Sequence, residues 1–323
     1  MHRPDPRITH RRPELSQHFL REGSALVRRA ALPPGSLVVE PGAGDGVLTA
    51  ALAEAGLRVI AVEKDASLFT TLRERFDGIT TVEAHHADFL TYPLPDEPYH
   101  AVSNVPFGIT AAVVRRLLHA ARPPTTATLI MQREAAAKFA GVPRETAFSL
   151  LHKPWFALEI TGIVSRREFV PPPRVEAAVL SISRRDLPLV TRSEAAHYRR
   201  FIETTLGHGA SILAPGLRRY LTARQFARLG RDIGFTRETR TSQLGFDQWL
   251  AIFRFVEHEC LGHDPTCHNV ASIRYRLKQV PRPLLRRASP TRSQRTRPEA
   301  RRVYVEPAWA RSSREERPYI WRM

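Results

Sequence analysis

The chain has 323 residues, 42% of them hydrophobic, with 49 Lys and Arg against 32 Asp and Glu, a formal charge of +17. That length suffices for one sizeable domain and a smaller one, and the charge favours a polyanionic partner, nucleic acid before membrane. No apolar run approaches the roughly 18 residues of a spanning helix, the first residues hold no apolar signal region, and two cysteines exclude a disulfide framework; a cytoplasmic protein is expected.

Residues 1–14 are rich in Arg and Pro and read as a basic arm. From Ser36 to about Ser183 short apolar runs alternate with helical patterns, which predicts an α/β fold built on βαβ units. Strands are expected at Leu37–Glu40, Arg58–Val62, Thr80–Val82, His100–Ser103 and Thr126–Ile130. Val113, Val114, Leu117 and Leu118 recur at the spacing of a crossover helix. Leu158–Val164 and Ala178–Ile182 follow with no helix between them, as an antiparallel pair closing the sheet would. Residues 15–187 therefore form one predicted domain. Over 188–260 strand patterns stop; Phe201, Ile202, Thr205 and Leu206 share a helical face, as do Trp249, Ile252, Phe253 and Val256, giving a small helical domain. Residues 261–323 are Arg/Pro-rich without sustained periodicity and are expected to be a disordered basic extension.

The chemistry concentrates where predicted strands end. Glu40-Pro41-Gly42-Ala43-Gly44-Asp45-Gly46 follows the first strand and opens a helix from Val47. Its alternate glycines permit a sharp bend and leave room for a ligand against the backbone. Glu40 and Asp45 would repel a phosphate and suit a cationic, amino-acid-bearing ligand instead. Glu63, at the end of the second strand, is placed to accept from ribose hydroxyls. Asp88, after the third, can accept from an adenine amino group, with Phe89 or a neighbour covering the ring. Ribose, adenine and a cationic amino-acid tail together describe S-adenosylmethionine. Asn104-Val105-Pro106-Phe107 suits a second adenine, the one acted upon. The Asn104 amide oxygen and the Val105 or Pro106 carbonyl can accept from its N6–H₂, and Phe107 offers a stacking face.

On Gln17-His18-Phe19-Leu20, the Glu40–Gly46 loop, Glu63, Asp88, Asn104–Phe107 and Phe169-Val170-Pro171-Pro172-Pro173-Arg174-Val175, residues 15–255 resemble the ribosomal RNA adenine-N6 methyltransferases. Within them the chain resembles the erythromycin-resistance (Erm) group acting on 23S rRNA. Met131–Ala135 and Pro154-Trp155-Phe156 share that look. The resemblance implies a Rossmann-like S-adenosylmethionine-dependent methyltransferase acting as a monomer, with 23S rRNA as partner and resistance to macrolides, lincosamides and streptogramin B as outcome. It implies cofactor contacts from Gln17, His18, Leu20, Gly42, Gly44, Glu63, Asp88 and Asn104. Catalysis falls to Asn104, Val105, Pro106, Phe107 and Phe169, the last as a second wall for the base. His18 departs from the family pattern, which has Asn there; its ring can still donate and accept hydrogen bonds, with a changed pH dependence.

The housekeeping small-subunit dimethyladenosine transferases share these motifs; Phe at 107, Gly108-Ile109-Thr110 and Pro154-Trp155-Phe156 favour the Erm side. A DNA adenine methyltransferase lacks support because no separate target-recognition region stands out. A binding factor on a retired methyltransferase scaffold is opposed by intact Glu63, Asp88 and Asn104. Arg115, Arg116, Arg133, Lys138, Arg166, Arg167, Arg174, Arg218 and Arg219 are candidate phosphate contacts. His258, Cys260, His263, Cys267 and His268 lie close together but match no paired zinc-ligand spacing, so no metal is expected.

Overall fold

A computed structural model describes residues 18–207 and 211–261. Gln17, the basic arm and the Arg/Pro-rich extension lie outside them, as do His263, Cys267, His268 and the side chain of Cys260. Among the described residues no three potential ligands converge on a metal position, and no helix is long and apolar enough to cross a membrane.

In chain order the elements are β1 Phe19–Leu20, α1 Ser24–Ala30, β2 Leu37–Pro41, α2 Val47–Glu54, β3 Arg58–Glu63, α3 Ala66–Arg75, β4 Val82–His86, β5 His100–Asn104, α4 Thr110–Leu118, β6 Thr126–Gln132, α5 Arg133–Ala140, α6 Ala147–His152, β7 Phe156–Val164, β8 Phe169–Val170, β9 Ala177–Arg184, α7 Ala195–Leu206, α8 Leu213–Leu217, α9 Ala223–Ile233 and α10 Phe246–Leu261. Seven strands form one sheet in the order β4-β3-β2-β5-β6-β9-β7, and β1 pairs with β8 in a separate two-stranded ladder. β2 to β6 are mutually parallel, while β9 runs antiparallel to both β6 and β7. The α/β expectation and the closing antiparallel pair are both met.

The chain winds outward from β2 through β3 to β4, then restarts at β5 and winds the other way. β2 and β5 are thus neighbours whose following segments leave on opposite sides, the crevice where ligands bind in such sheets. β2 is buried along its whole length, as a central parallel strand covered on both faces must be. One apolar cluster, with Leu117, Leu129 and Leu180, packs against α4; another, with Val38, Leu52 and Val59, packs under α1 and α2. α3 starts where it does because the Asp65 side chain accepts from the Ser67 and Leu68 N–H groups, a cap worth about 1 kcal/mol.

β4 starts two residues later than predicted and runs to His86. It is the sheet's edge strand and only half-buried, so its apolar signal is weak. All described residues fall in one compact unit, within which α7 to α10 build a core of their own around Trp249, Phe253, Tyr198 and Phe201. Burying such side chains fully contributes about 1.5–3 kcal/mol each. Trp155 packs against both this core and the sheet core, and the Tyr198 hydroxyl donates to the Leu150 carbonyl at 2.9 Å. The Pro-Trp-Phe stretch is therefore a seam between sheet and helices.

Candidate functional site

The glycine loop is shaped by what stands beside it. Gly42 (φ 68°) and Gly44 (φ 62°) both occupy the left-handed region, which a side chain disfavours. A Cβ on Gly42 would also come within 3.1 Å of the Pro106 ring, and one on Gly44 within 3.3 Å of the Phe19 ring. The loop is pinned to the end of β3: Gly42 N–H donates to the Val62 carbonyl at 2.8 Å, and Gly44 N–H to Glu63 Oε2 at 2.9 Å. Glu63 Oε1 accepts from Asp65 N–H at 2.7 Å. Glu63 is buried, which raises its pKa against these hydrogen bonds, and each oxygen keeps lone-pair capacity for a further donor.

Glu40 corrects an expectation. It does not present a charge to the loop surface but lies inside β2, 1% exposed, accepting from Thr49 Oγ1 at 2.6 Å. Burial pushes its pKa up to about 8, with Glu63 and Asp45 adding repulsion against the Thr49 hydrogen bond. At neutral pH it is a carboxylic acid. Parallel pairing fully covers β2, and a full charge there would be desolvated without a cation to offset it.

The Asn104 stretch leaves β5 against the same loop. Ser103 Oγ donates to the Pro41 carbonyl at 2.6 Å, tying the ends of the two central strands together. Asn104 Nδ2 donates to the His18 carbonyl at 2.7 Å, while its Oδ1 is buried and accepts no hydrogen bond. Flipping the amide would set two acceptors against each other, so the His18 carbonyl fixes which atom faces the cleft. An unpaired buried acceptor costs about 1–3 kcal/mol, a cost that a ligand N–H would relieve. Of the two candidate carbonyls, Pro106 O already accepts from Ile109 N–H at 3.0 Å, so Val105 O is the better partner for a second N–H. Phe107, half-buried, lies 5.3 Å from the His18 ring, tilted 44°.

His18 works partly through its backbone. Its Nδ1 lies 2.9 Å from the Pro171 carbonyl; since a carbonyl only accepts, Nδ1 carries the hydrogen. Leu20 pairs with Phe169 across β1 and β8 and is buried. Phe169 also departs from its expected place: it is 0% exposed, enclosed with Leu26, Val38 and Val179. The β1–β8 ladder turns it into core, so it is no open wall for a base. Phe89 is core likewise, at 4% exposure, packed in the sheet cluster and offering no open face to an adenine ring.

Asp88 lies beside Glu63 through the Ala87 N–H bond to the Glu63 carbonyl. Its Oδ2 meets Lys64 Nζ at 2.8 Å and its Oδ1 accepts from Leu90 N–H. The Lys64 ammonium, foremost, holds its pKa below the usual carboxylate range. Lys64, on Asp88, and the Ser103 hydroxyl, on the glycine loop's first residues, adjoin the candidate residues and were passed over by sequence reasoning. Of the basic candidates, Arg116 is occupied by the Tyr92 carbonyl, whereas Arg133 pairs with Glu176. Gly44 and Glu63 share a hydrogen bond, as do Asn104 and His18, Pro106 stands beside Gly42, and the Ser103–Pro41 bond ties the two halves together; Asp88 adjoins them through β3.

These features fit an adenosyl ligand bearing a cationic tail: a cradle that a Cβ would fill, a buried carboxyl with spare acceptor capacity, and a purine-competent acceptor next door. Comparison with known proteins agrees. The family described as ribosomal RNA adenine dimethylase matches residues 8–258. An rRNA adenine N-6-methyltransferase of Streptomyces fradiae is 38% identical over 255 residues, covering 75% of this chain and 78% of that protein. The mycinamicin-resistance protein MyrB of Micromonospora griseorubida is 37% identical over 208 residues, 63% of this chain and 66% of that one. The crystal structure of the 23S rRNA methyltransferase ErmE superposes with a TM-score of 0.69 at 31% identity, over 74% of this chain and 99% of that one.

Proposed function

The chain belongs to the ribosomal RNA adenine dimethylase family, and from that premise we propose that it methylates N6 of one adenine in 23S rRNA, blocking macrolide, lincosamide and streptogramin B binding. When bound, S-adenosylmethionine supplies a methyl group on a positively charged sulfur. Glu63 is assigned to the ribose hydroxyls, Gly42 and Gly44 to close approach of the tail, and Asp88 to the cofactor's adenine amine.

The buried, unpaired Oδ1 of Asn104 carries the reading. A neutral adenine N6 is a poor nucleophile because its lone pair is conjugated into the ring. Oδ1 of Asn104 and O of Val105 accept its two hydrogens from fixed positions, drawing the amine out of conjugation. Both acceptors are held before the substrate arrives, Asn104 by the His18 carbonyl and Val105 by its N–H bond to the Ile130 carbonyl. Preorganised acceptors stabilise positive charge developing on N6 without reorganising. Once the new N–C bond forms, N6 carries a positive charge and is strongly acidic, so its proton passes to solvent water and no strong base is needed. The target must leave its stack to reach this crevice, and Phe107 gives it a face to rest on.

Similarity to ErmE and MyrB supports the large-subunit target over the small. The protein is read as a monomer acting on ribosomal RNA in the cytoplasm. Primer extension on 23S rRNA from cells with and without the gene tests this. A reverse-transcription stop at the macrolide-site adenine, lost with Asn104→Ala, is expected. No stop, together with altered small-subunit RNA, would point to the housekeeping activity instead.

A further inference from the structure

The sheet register carries a second feature to the same edge as Asn104. Asn104 lies opposite Ile130, Gln132 opposite Ala177 and Ala177 opposite Val164. Through Ile130 and Val179, Asn104 itself is level with Gly162, so the turn leaving β7 lies two residues farther along, at the same end of the sheet and three strands, about 14 Å, across it. An open cleft of about 460 Å³ lies there, lined among others by Ile163, Arg166, Arg167, Pro172 and Glu176. We propose that this cleft holds the base and phosphate of an unpaired nucleotide flanking the methylated adenine, a proposal that rests on the RNA-methyltransferase reading above.

The lining has two chemistries in separate places. Ile163 is 54% exposed and Pro172 is exposed too; both are rigid apolar surfaces that gain by covering the face of a base. Arg166 and Arg167 supply positive charge beside them. Arg166 Nε donates to the Pro173 carbonyl at 2.6 Å, which fixes its guanidinium and leaves the Nη groups for a phosphate. Glu176 Oε2 is taken by Arg133 Nη1 at 2.5 Å, and its other oxygen is an acceptor for a base amine. A carboxylate within the cleft disfavours a free inorganic anion, and apolar walls would add nothing to one. A nucleotide uses all three features.

The cleft and the crevice are also joined through one peptide segment. The His18 carbonyl positions Asn104, the His18 ring donates to Pro171, and the next residue, Pro172, lines the cleft. A base seated there would steady the strand carrying the target adenine.

The test uses the full chain and an RNA hairpin with the target adenine in an unpaired loop, titrated by fluorescence anisotropy. A series replaces each loop nucleotide flanking the adenine, one at a time, by an abasic residue. With wild-type protein one abasic position is expected to weaken binding roughly tenfold. Ile163→Asp should weaken the intact hairpin by a similar factor and become indifferent to that same position. Glu176→Ala removes both oxygens and should also weaken binding; tighter binding, as a merely electrostatic surface would show on losing a negative charge, overturns the proposal. Thermal melts of both variants check that they fold, as surface positions should. Wild type indifferent to every flanking base, or Ile163→Asp retaining the wild-type pattern, overturns the proposal. Methylation of the intact hairpin and of 23S rRNA by the wild type is followed in parallel. Its absence alongside the expected binding pattern would fault the assigned reaction and leave the subsite standing.

Discussion

Replacing Glu40 by Gln should make the protein more stable at neutral pH, and increasingly so as pH rises. Glu40 is buried in β2 with its pKa pushed up to about 8 from 4.5. Between those values the folded state keeps a proton that the unfolded state has lost. Folding therefore binds protons there, and stability falls as pH rises. The slope is about 1.4 kcal/mol per pH unit for one proton, so the span from pH 5 to pH 7 costs the wild type at most about 3 kcal/mol. Glutamine mimics the neutral acid, still accepts from Thr49 Oγ1, and pays none of that cost. Glu63 and Asp45 face the same uncharged neighbour in both proteins, so their titration cancels in the difference. Urea unfolding of wild type and Glu40→Gln at pH 5, 6 and 7 reads the effect directly. The variant's advantage should widen by up to about 1.4 kcal/mol per unit. A gap that stays constant across the range would mean that Glu40 is ionised in the folded protein, and the account of β2 as a strand without charge would fail.

Gly42→Ala combines a left-handed φ with a Cβ 3.1 Å from Pro106; it should displace the Asn104 stretch and cut methyl transfer by about tenfold or more, read as kcat on 23S rRNA. Tyr198→Phe leaves the Leu150 carbonyl without its donor, and thermal melting should show a loss of about 1–3 kcal/mol with cofactor affinity unchanged. His18→Asn keeps the backbone carbonyl that holds Asn104 and loses the ring contacts to Pro171 and Phe107, so cofactor affinity by calorimetry should change by less than about tenfold.

The sheet could be read from the chain because β2, β3, β5 and β6 are buried parallel strands, written as unbroken apolar runs. Glu63 stood out because a carboxyl at the end of such a run has few structural reasons to be there, and Asp88 because it follows the next strand in series with it. Residues whose role depends on what packs across the fold were not legible in that way. Phe169 carries the motif of a base wall, yet two residues of β8 pair with two of β1, and so short a ladder has no period to detect. Glu40 looks like a loop charge until the strand that contains it is seen covered on both faces. The free oxygen of Asn104 depends on a carbonyl 86 residues away in sequence. Lys64 is an ordinary surface lysine until β4 brings Asp88 beside it. Gln17 and the Arg/Pro-rich extension lie outside the described residues.

Transfer of radiolabelled methyl from S-adenosylmethionine to purified 23S rRNA by Asn104→Ala, beside the wild type and a direct measure of cofactor affinity, bears most directly on the Oδ1 acceptor. Loss of one preorganised partner for N6 should lower the transfer rate by about 100-fold or more, far beyond any change in cofactor affinity. Wild-type transfer by the variant would contradict the mechanism, because N6 would then be activated without the amide that the His18 carbonyl holds in place.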